Sequence, residues 1–209
     1  RNCLIGAVVL LLSITAEARV GNSSEPTSYC TETKECLLFD LICEGKEYEV
    51  RHYEAAKWVA TEVESIFIDV AKVKAFRNFT NTSPICYFYT VLAGANIDMT
   101  APVLTKVKAD VSLLESSVYV LSFLLPSAYQ EHAPQPNDTS VYLTEMPDMN
   151  VYVKSYGGWI LKEALDKAQA SYDEDYHYDV GYNSPMKLTN RHNEVWYVVK
   201  GKPVCPPAE

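Results

Sequence analysis

The chain has 209 residues, of which 48% are hydrophobic and 22% are charged, and its net charge at pH 7 is −9. A chain of this length and apolar content can bury one ordinary globular core, which argues against a disordered protein. The acidic balance disfavours nucleic acid and anionic membrane surfaces as partners, because both require a basic patch.

The first 18 residues have the pattern of a secretory signal peptide. An apolar run at residues 4–14 follows Arg1, and Ala16, Glu17 and Ala18 form a small-x-small cleavage pattern. The run is too short to span a bilayer, and no later apolar run reaches spanning length. The sequence therefore predicts a secreted, extracellular protein, with a buried N-terminal helix as the alternative interpretation.

Four Asn-x-Ser/Thr sequons agree with secretion. A single sequon often arises by chance, but all four lie in polar or turn-like segments and accompany a signal pattern. The predicted glycosylation sites are Asn22, Asn78, Asn81 and Asn137.

Five cysteines remain after the predicted signal peptide, which contains Cys3, is removed: Cys30, Cys36, Cys43, Cys86 and Cys205. An oxidising compartment favours disulfides, and an odd number leaves one thiol free or paired with another molecule. We expect Cys205 to link the C-terminal tail, residues 203–209, to Cys43 or to a neighbouring cysteine near the N-terminus.

An extended polar leader at residues 19–43 precedes a stretch, residues 47–59, that begins with a clear two-residue alternation. One face carries two apolar residues and a histidine, which are Tyr48, Val50 and His52. The opposite face is charged and carries Glu47, Glu49 and Arg51. A period of two predicts a half-buried strand, because successive side chains leave a pleated backbone on opposite faces. Residues 57–63 alternate again and predict a second strand paired with the first.

Apolar residues at helical spacing predict two amphipathic helices. The first ends near residues 77–83, and its predicted buried face consists of Ile66, Phe67, Val70, Ala71 and Val73. The second covers residues 159–169. Further strands are predicted at residues 118–125, 141–144, 149–155, 185–188 and 195–200, with a long surface loop at residues 127–140.

The two halves of the chain weakly repeat each other. Each half begins with an aromatic-rich strand that leads to a tryptophan, Trp58 or Trp159. Each half later has a proline, an apolar stretch and a threonine, at residues 102–105 and 185–189. This pattern predicts two α/β units that complete one barrel-like antiparallel sheet with two helices packed on it.

Three long blocks resemble the SOUL/haem-binding protein family. They are YEVRHYEAAKWVAT at residues 48–61, DMTAPV at 98–103 and YNSPMKLTNRHNEVW at 182–196, in the order of the family. The resemblance covers roughly residues 47–199 and implies a domain at residues 44–202. It implies an α+β fold, a distorted antiparallel β-barrel built from a duplicated unit and flanked by two helices. It also implies that residues 85–92 are helical, although their β-branched and aromatic composition favours a strand.

The resemblance implies a haem- or tetrapyrrole-binding protein, here a secreted carrier or scavenger without catalytic turnover. Haem is a large apolar disc with two propionates, so a site needs apolar walls, polar groups at the mouth and optionally an axial ligand. The SOUL branch of the family reads RHY at residues 51–53 and implies His52 as the iron ligand, whereas the sister branch binds porphyrin through apolar contacts alone. A hydrogen-bonded core histidine is the alternative interpretation of His52.

The other predicted site residues are walls and mouth of the same pocket. Tyr48, Val50, Met99 and Met186 are candidate wall residues, and the two methionines are equally interpretable as adaptable core filler. Arg191 and Lys187 are candidates to pair with propionates, since cationic side chains bind carboxylates. Exposed strand-end charge is the alternative for both.

Glu194 supports a rival hypothesis. Bacterial effector-binding modules that share this fold place an acidic residue inside the ligand cavity, where it could bind organic cations or serve as a general acid or base in hydrolase-like relatives. A surface carboxylate is the simpler interpretation. The sequence has no evident nucleophile–base pair, HExxH motif or phosphate loop, so we predict a binding protein and not an enzyme. An interaction protein with a vestigial cavity is the third hypothesis.

Overall fold

The computed structural model describes residues 19–22, 30–80, 88–89, 97–109, 115–155, 158–184, 187 and 189–207. Its strands are β1 (Val20–Asn22), β2 (Glu35–Leu37), β3 (Asp40–Glu44), β4 (Glu49–Tyr53), β5 (Ala56–Ser65), β6 (Phe88–Tyr89), β7 (Ile97–Asp98), β8 (Thr100–Ala101), β9 (Val103–Lys108), β10 (Ser117–Leu124), β11 (Val141–Met146), β12 (Met149–Ser155), β13 (Tyr176–Gly181) and β14 (Asn193–Val198). Its helices are α1 (Ile68–Thr80) and α2 (Gly158–Lys167), and Ser127–Tyr129 forms one 3-10 turn. The predicted signal peptide, Asn81, Cys86 and Met186 lie outside the described residues.

Nine strands form the main sheet in the order β11-β5-β10-β9-β13-β14-β12-β4-β3, and every neighbouring pair is antiparallel. The predicted α+β class with a large antiparallel sheet and two helices is therefore confirmed. No pairing among the described residues joins β11 to β3, so closure into a barrel stays a prediction. Smaller sheets form from β1-β2-β8 and from β6-β7.

The strand order has an internal symmetry. Exchanging β4 with β11, β5 with β12, β9 with β13 and β10 with β14 turns the order of these eight strands into its own reverse. In this exchange α1, which follows β5, corresponds to α2, which follows β12. A duplicated α/β unit produces this kind of relationship.

The sheet packs on both faces. Its central face surrounds one core to which strands from both ends of the order contribute, including Tyr53 from β4 and Trp58 from β5. The sheet therefore curls around this core. The opposite face is covered by α1 over one half, against Val59, Leu121 and Phe123, and by α2 over the other half. Burying each large apolar side chain contributes roughly 1.5–3 kcal/mol, so these three cores dominate the stability of the fold.

The predicted buried face of the first helix was partly wrong. Ile66 and Phe67 precede the first helical residue, Ile68, and Phe67 is 65% exposed. Val70 is also exposed, whereas the buried row runs through Ala71, Ala75, Phe76 and Phe79 at spacings of three and four residues. The small alanines in this row let the helix approach β5 and β10 closely.

The predicted pairing of the first two strands was wrong. β4 pairs with β12 and β3, whereas β5 pairs with β10 and β11 near the other end of the sheet. Arg51 also departs from the predicted outward face, because it is 3% exposed and points to the central core. β4 is covered on both faces, so both rows of its alternating side chains are largely buried and not only the predicted apolar row.

Two further predicted elements differ from the structure. Phe88 and Tyr89 form β6 and pair with β7, so the helix implied for residues 85–92 does not hold at these two positions; the rest of that segment lies outside the described residues. Lys187 lies outside any strand, so the strand predicted at 185–188 does not hold at this position, and its other residues lie outside the described residues. The strand β13, which ends at Gly181, was not predicted. Alternating Tyr176, Tyr178 and Val180 drive β13 despite its acidic surroundings.

Two disulfides lie in the described part of the chain. Cys43 bonds to Cys205, as one of the predicted alternatives has it, and Cys30 bonds to Cys36. The tail beside Cys205 is also held by hydrogen bonds, because the hydroxyl of Tyr48 donates to the carbonyl of Val204 at 3.1 Å. No helix in the described part of the chain is long and apolar enough to cross a membrane.

Candidate functional site

A cavity of about 70 Å³ lies between α1 and the strands β9, β10 and β13. Its wall is mostly apolar and consists of Phe76, Met99, Val103, Leu121 and Phe123, with Thr100 and Thr105 as polar exceptions. Its mouth is polar and includes residues 182–184, Arg191 and the leader residues Glu32 and Thr33. We call it the α1 cavity.

Helical spacing places two α1 side chains on the cavity. Lys72 and Phe76 are one turn apart and face the sheet together. The ammonium of Lys72 donates to a carboxylate oxygen of Asp179 on β13 at 2.7 Å, and this ion pair joins the helix to the sheet beside the cavity. Gly181, two residues further along β13, lies on the same face and leaves open space there.

The carboxylate of Glu32 lies across the mouth of the α1 cavity. It accepts hydrogen bonds from the Ser184 backbone N–H at 2.9 Å, the Asn183 side-chain amide at 3.1 Å and the Lys187 ammonium at 2.7 Å. Partial burial opposes ionisation, but these three donors outweigh it and hold the pKa of Glu32 below its ordinary value. A leader residue therefore occupies the polar end of the cavity.

His52 lies on β4, between β12 and the edge strand β3, away from the α1 cavity. Its Nδ1 is 2.9 Å from Oδ1 of Asn150 on β12, and its Nε2 is 3.3 Å from a carboxylate oxygen of Asp148. Its side chain is 28% exposed, so it is accessible from solvent and not a fully buried core residue. With both acceptors in place, each ring nitrogen has a partner.

Glu194 lies in the central core and does not line the α1 cavity. Its carboxylate accepts from Arg51 Nη1 at 3.1 Å, His192 Nε2 at 2.8 Å, Trp196 Nε1 at 2.7 Å and the hydroxyl of Tyr182 at 3.1 Å. Burial alone would raise the pKa of Glu194, but the hydrogen bonds and the charge of Arg51 lower it below its ordinary value. The group is an ionised carboxylate whose oxygens are already occupied.

The structure thus separates the residues predicted to form one pocket. Met99 and Arg191 line the α1 cavity, whereas Tyr48 and Val50 are buried against α2 with Tyr152. His52 lies at a third place. The contributions of Glu32, Phe76 and Asn183 to the site were missed, because no sequence pattern connects the leader to the loop that follows β13.

The predicted glycosylation sites differ in their surroundings. Asn137 is exposed in the loop before β11. Asn78 is partly buried on α1, and its amide donates to the hydroxyl of Thr61 at 3.4 Å. Asn22 is the last residue of β1.

Comparisons with known proteins agree with the sequence blocks. The family model described as SOUL heme-binding protein matches residues 34–198. The chain therefore belongs to the SOUL heme-binding protein family, and the predicted resemblance is confirmed.

Individual relatives cover most of the chain. Heme-binding protein 2 of Homo sapiens is 34% identical over 172 residues, which are 75% of this chain and 80% of the relative. Heme-binding protein 1 of Xenopus tropicalis is 30% identical over 172 residues, which are 74% of this chain and 85% of the relative. Among solved structures, a hydrolase from Listeria innocua aligns over 76% of this chain and 94% of its own, with a TM-score of 0.41 and 8% identity.

Proposed function

We propose that the protein is a secreted tetrapyrrole-binding protein, a carrier or scavenger of haem, and that it binds its ligand at the α1 cavity. The observation that carries this proposal is the combination of an apolar wall with carboxylate-binding donors at the mouth. That combination suits an apolar ligand whose edge bears carboxylates. The names of the relatives, which describe heme binding, support the same ligand class.

The α1 cavity is small for a tetrapyrrole. Pockets for small molecules usually measure roughly 300–1,000 Å³, and the α1 cavity measures about 70 Å³. A whole haem therefore does not fit inside the cavity with its present walls. Binding requires that a wall or the mouth moves outward, and Glu32 closes the mouth.

Axial ligation by His52 is the second mode that we propose for testing. An Nδ1–H that donates to Asn150 would leave Nε2 as the nitrogen with a free electron pair, the form that binds iron. Asp148, which lies 3.3 Å from Nε2, has a side chain that is 61% exposed and can move into solvent. When bound, haem would supply the redox-active iron, and His52 would hold it from β4.

Secretion is supported by the signal pattern together with two disulfides, because disulfides persist in oxidising compartments. Expression of the full chain in a secreting eukaryotic host tests it. We expect to find the protein in the culture medium, with its N-terminus near residue 19 and with a mass that falls when N-linked glycans are removed. Retention of residues 1–18 would contradict the proposal.

Glu194 gives little support to the rival function as a cation binder or catalytic acid. Arg51, Tyr182, His192 and Trp196 already donate to its oxygens, and the ion pair with Arg51 neutralises its charge. A cationic ligand would have to displace a buried guanidinium that is 3% exposed. We therefore assign Glu194 a role in stabilising the fold.

Two variants separate the proposed binding modes in haemin titrations followed by absorbance. Among the described residues, a Cβ at position 181 would meet Asn193 Oδ1 at 3.8 Å, so Gly181→Leu should fill the α1 cavity without a clash at Cβ. We expect it to weaken haemin binding by about tenfold or more, which is ~1.4 kcal/mol. If His52 ligates iron, His52→Ala abolishes the histidine-type Soret and visible bands.

The outcomes are distinct. An unchanged affinity in a folded Gly181→Leu protein would rule out the α1 cavity as the binding site. Unchanged spectra in His52→Ala would leave only binding through apolar contacts. No haemin binding by the unaltered protein would overturn the proposed function.

A further inference from the structure

Glu32 lies at the tip of a short disulfide-closed loop, residues 30–36, which we call the leader loop. The base of this loop is fixed, because Cys30 and Cys36 are 3% and 0% exposed within the central core. β2, which includes Cys36, also pairs in parallel with β8. The tip is different, since the Glu32 side chain is 29% exposed and is held by polar contacts with Asn183, Ser184 and Lys187.

The partners of Glu32 have the chemistry of a carboxylate receptor. One oxygen accepts from the Asn183 amide and lies 2.7 Å from the Lys187 ammonium, and the other accepts from the Ser184 backbone N–H. A charged donor together with two neutral donors on both oxygens is the arrangement that proteins use to bind carboxylates. Glu32, Asn183 and Ser184 line the α1 cavity together with its apolar wall.

We propose that Asn183, Ser184 and Lys187 form a receptor for the carboxylate of an apolar ligand, and that Glu32 occupies this receptor as an internal pseudo-ligand. The ligand enters the α1 cavity apolar end first, and its carboxylate replaces that of Glu32. This proposal rests on the proposed function in placing the ligand at the α1 cavity, but it requires only an amphipathic carboxylate and not haem itself.

The exchange leaves no charge unpaired. The incoming carboxylate pairs with Lys187, and Glu32, at the exposed tip, moves into water. The rest of the leader stays attached, because Lys34 pairs with Asp98 at 2.8 Å and Glu35 accepts from Ser127 at 2.7 Å. Only the tip of the leader loop has to move, and its departure also opens the mouth of a cavity that is too small when closed.

Glu32→Ala removes the pseudo-ligand and keeps the receptor. When an internal group competes for the site, the apparent affinity of the ligand falls in proportion to the fraction of molecules whose site is free. We expect Glu32→Ala to tighten octanoate and haemin binding by about tenfold. Octan-1-ol, which has the same apolar chain without a carboxylate, should gain about threefold or less, because it benefits from the open mouth alone.

Two control variants locate the effect. Glu35→Gln alters a carboxylate of the same loop that binds Ser127 and not the receptor, so binding should stay at the level of the unaltered protein. Adding Lys187→Ala to Glu32→Ala removes the charged donor and should cancel the gain for octanoate. The Ser184 amide resonance, followed by NMR, should shift when octanoate binds to Glu32→Ala.

Each outcome decides between the two proposals. Haemin binding that is equally tight with and without Glu32 would overturn the pseudo-ligand and leave the proposed function standing. An equal gain for octanoate and octan-1-ol would reduce Glu32 to a steric plug and overturn the receptor. Tighter octanoate binding with no haemin binding would support the receptor and overturn the proposed function, and no binding of any probe would overturn both.

Discussion

Arg51 and Glu194 lie 143 positions apart in sequence and form an ion pair at 3.1 Å in the central core, where their side chains are 3% and 0% exposed. They stand on β4 and β14, which are not neighbours in the sheet, so the pair crosses over β12. A buried pair of this kind contributes little net stability compared with apolar packing, but it strongly penalises any arrangement that separates the partners. It therefore fixes how the second half of the sheet closes on the first.

Removing one partner should destabilise the fold severely. Glu194→Gln removes one of the carboxylates that pair with the buried guanidinium of Arg51, although Glu49 remains 2.7 Å from it. The new amide NH2 also cannot accept from the donors that the carboxylate holds, so we expect a loss of about 3–5 kcal/mol in the free energy of unfolding. Urea unfolding measures this loss. The double variant Arg51→Met/Glu194→Leu should recover part of it, because it leaves neither charge behind. Lys34→Gln, which breaks the exposed pair with Asp98, is the control and should leave the unfolding midpoint unchanged.

The same pair predicts an acid dependence of stability. The folded-state pKa of Glu194 lies below its ordinary value of 4.5, so its ionised form stabilises the fold. This contribution is fully present above about pH 4.5 and is lost as the pH falls through the lower folded-state pKa. The stability difference between the unaltered protein and Glu194→Gln should therefore shrink steadily below pH 4.5. A constant difference from pH 6 to pH 3 would contradict this assignment.

Local patterns in the sequence predicted most of the strands and helices, but they did not predict which strands pair. The period of two marked β4 and β5 correctly, because alternation depends only on the pleat of each strand. Their pairing was wrong, because pairing is decided by distant strands such as β10 and β12. Arg51 was placed outside for the same reason, since its burial depends on Glu194.

The candidate site was predictable only in part. Met99 and Arg191 were found because long family blocks contain them, and both line the α1 cavity. Glu32 was not found, because an exposed glutamate in a polar leader has no local feature that distinguishes it. Its role depends on the loop after β13, about 150 positions away, and only the folded chain brings the two together.

The core beneath α1 should respond differently to two phenylalanines close in sequence. Phe79 is 1% exposed, and its ring centroid lies 4.2 Å from that of Phe123. Phe79→Ala should cost about 3–5 kcal/mol, because it removes buried area and leaves a cavity. Phe67, which is 65% exposed, is the matched control, and Phe67→Ala should change stability by about 0.5 kcal/mol or less. Equal losses would show that the two residues share one environment, contrary to the structure.

The C-terminal tail should stabilise the domain through its disulfide. Cys43 and Cys205 are 162 positions apart, and removing a native disulfide from a small secreted domain typically costs about 2–5 kcal/mol. We expect a loss in this range for Cys43→Ser/Cys205→Ser, measured by urea unfolding. An unchanged unfolding midpoint would contradict a structural role of the tail.

Gly45 tests how tightly the tail is seated. A Cβ at this position would lie 2.5 Å from Cγ and 2.7 Å from Cβ of Pro206, which is far inside van der Waals contact. Gly45→Ala should therefore cost about 1–3 kcal/mol while the disulfide holds the tail in place. In the Cys43→Ser/Cys205→Ser background the tail can move away, and the same substitution should cost much less. Urea unfolding of the four proteins gives the coupling between the two changes, and an equal cost in both backgrounds would show that the tail stays seated without its disulfide.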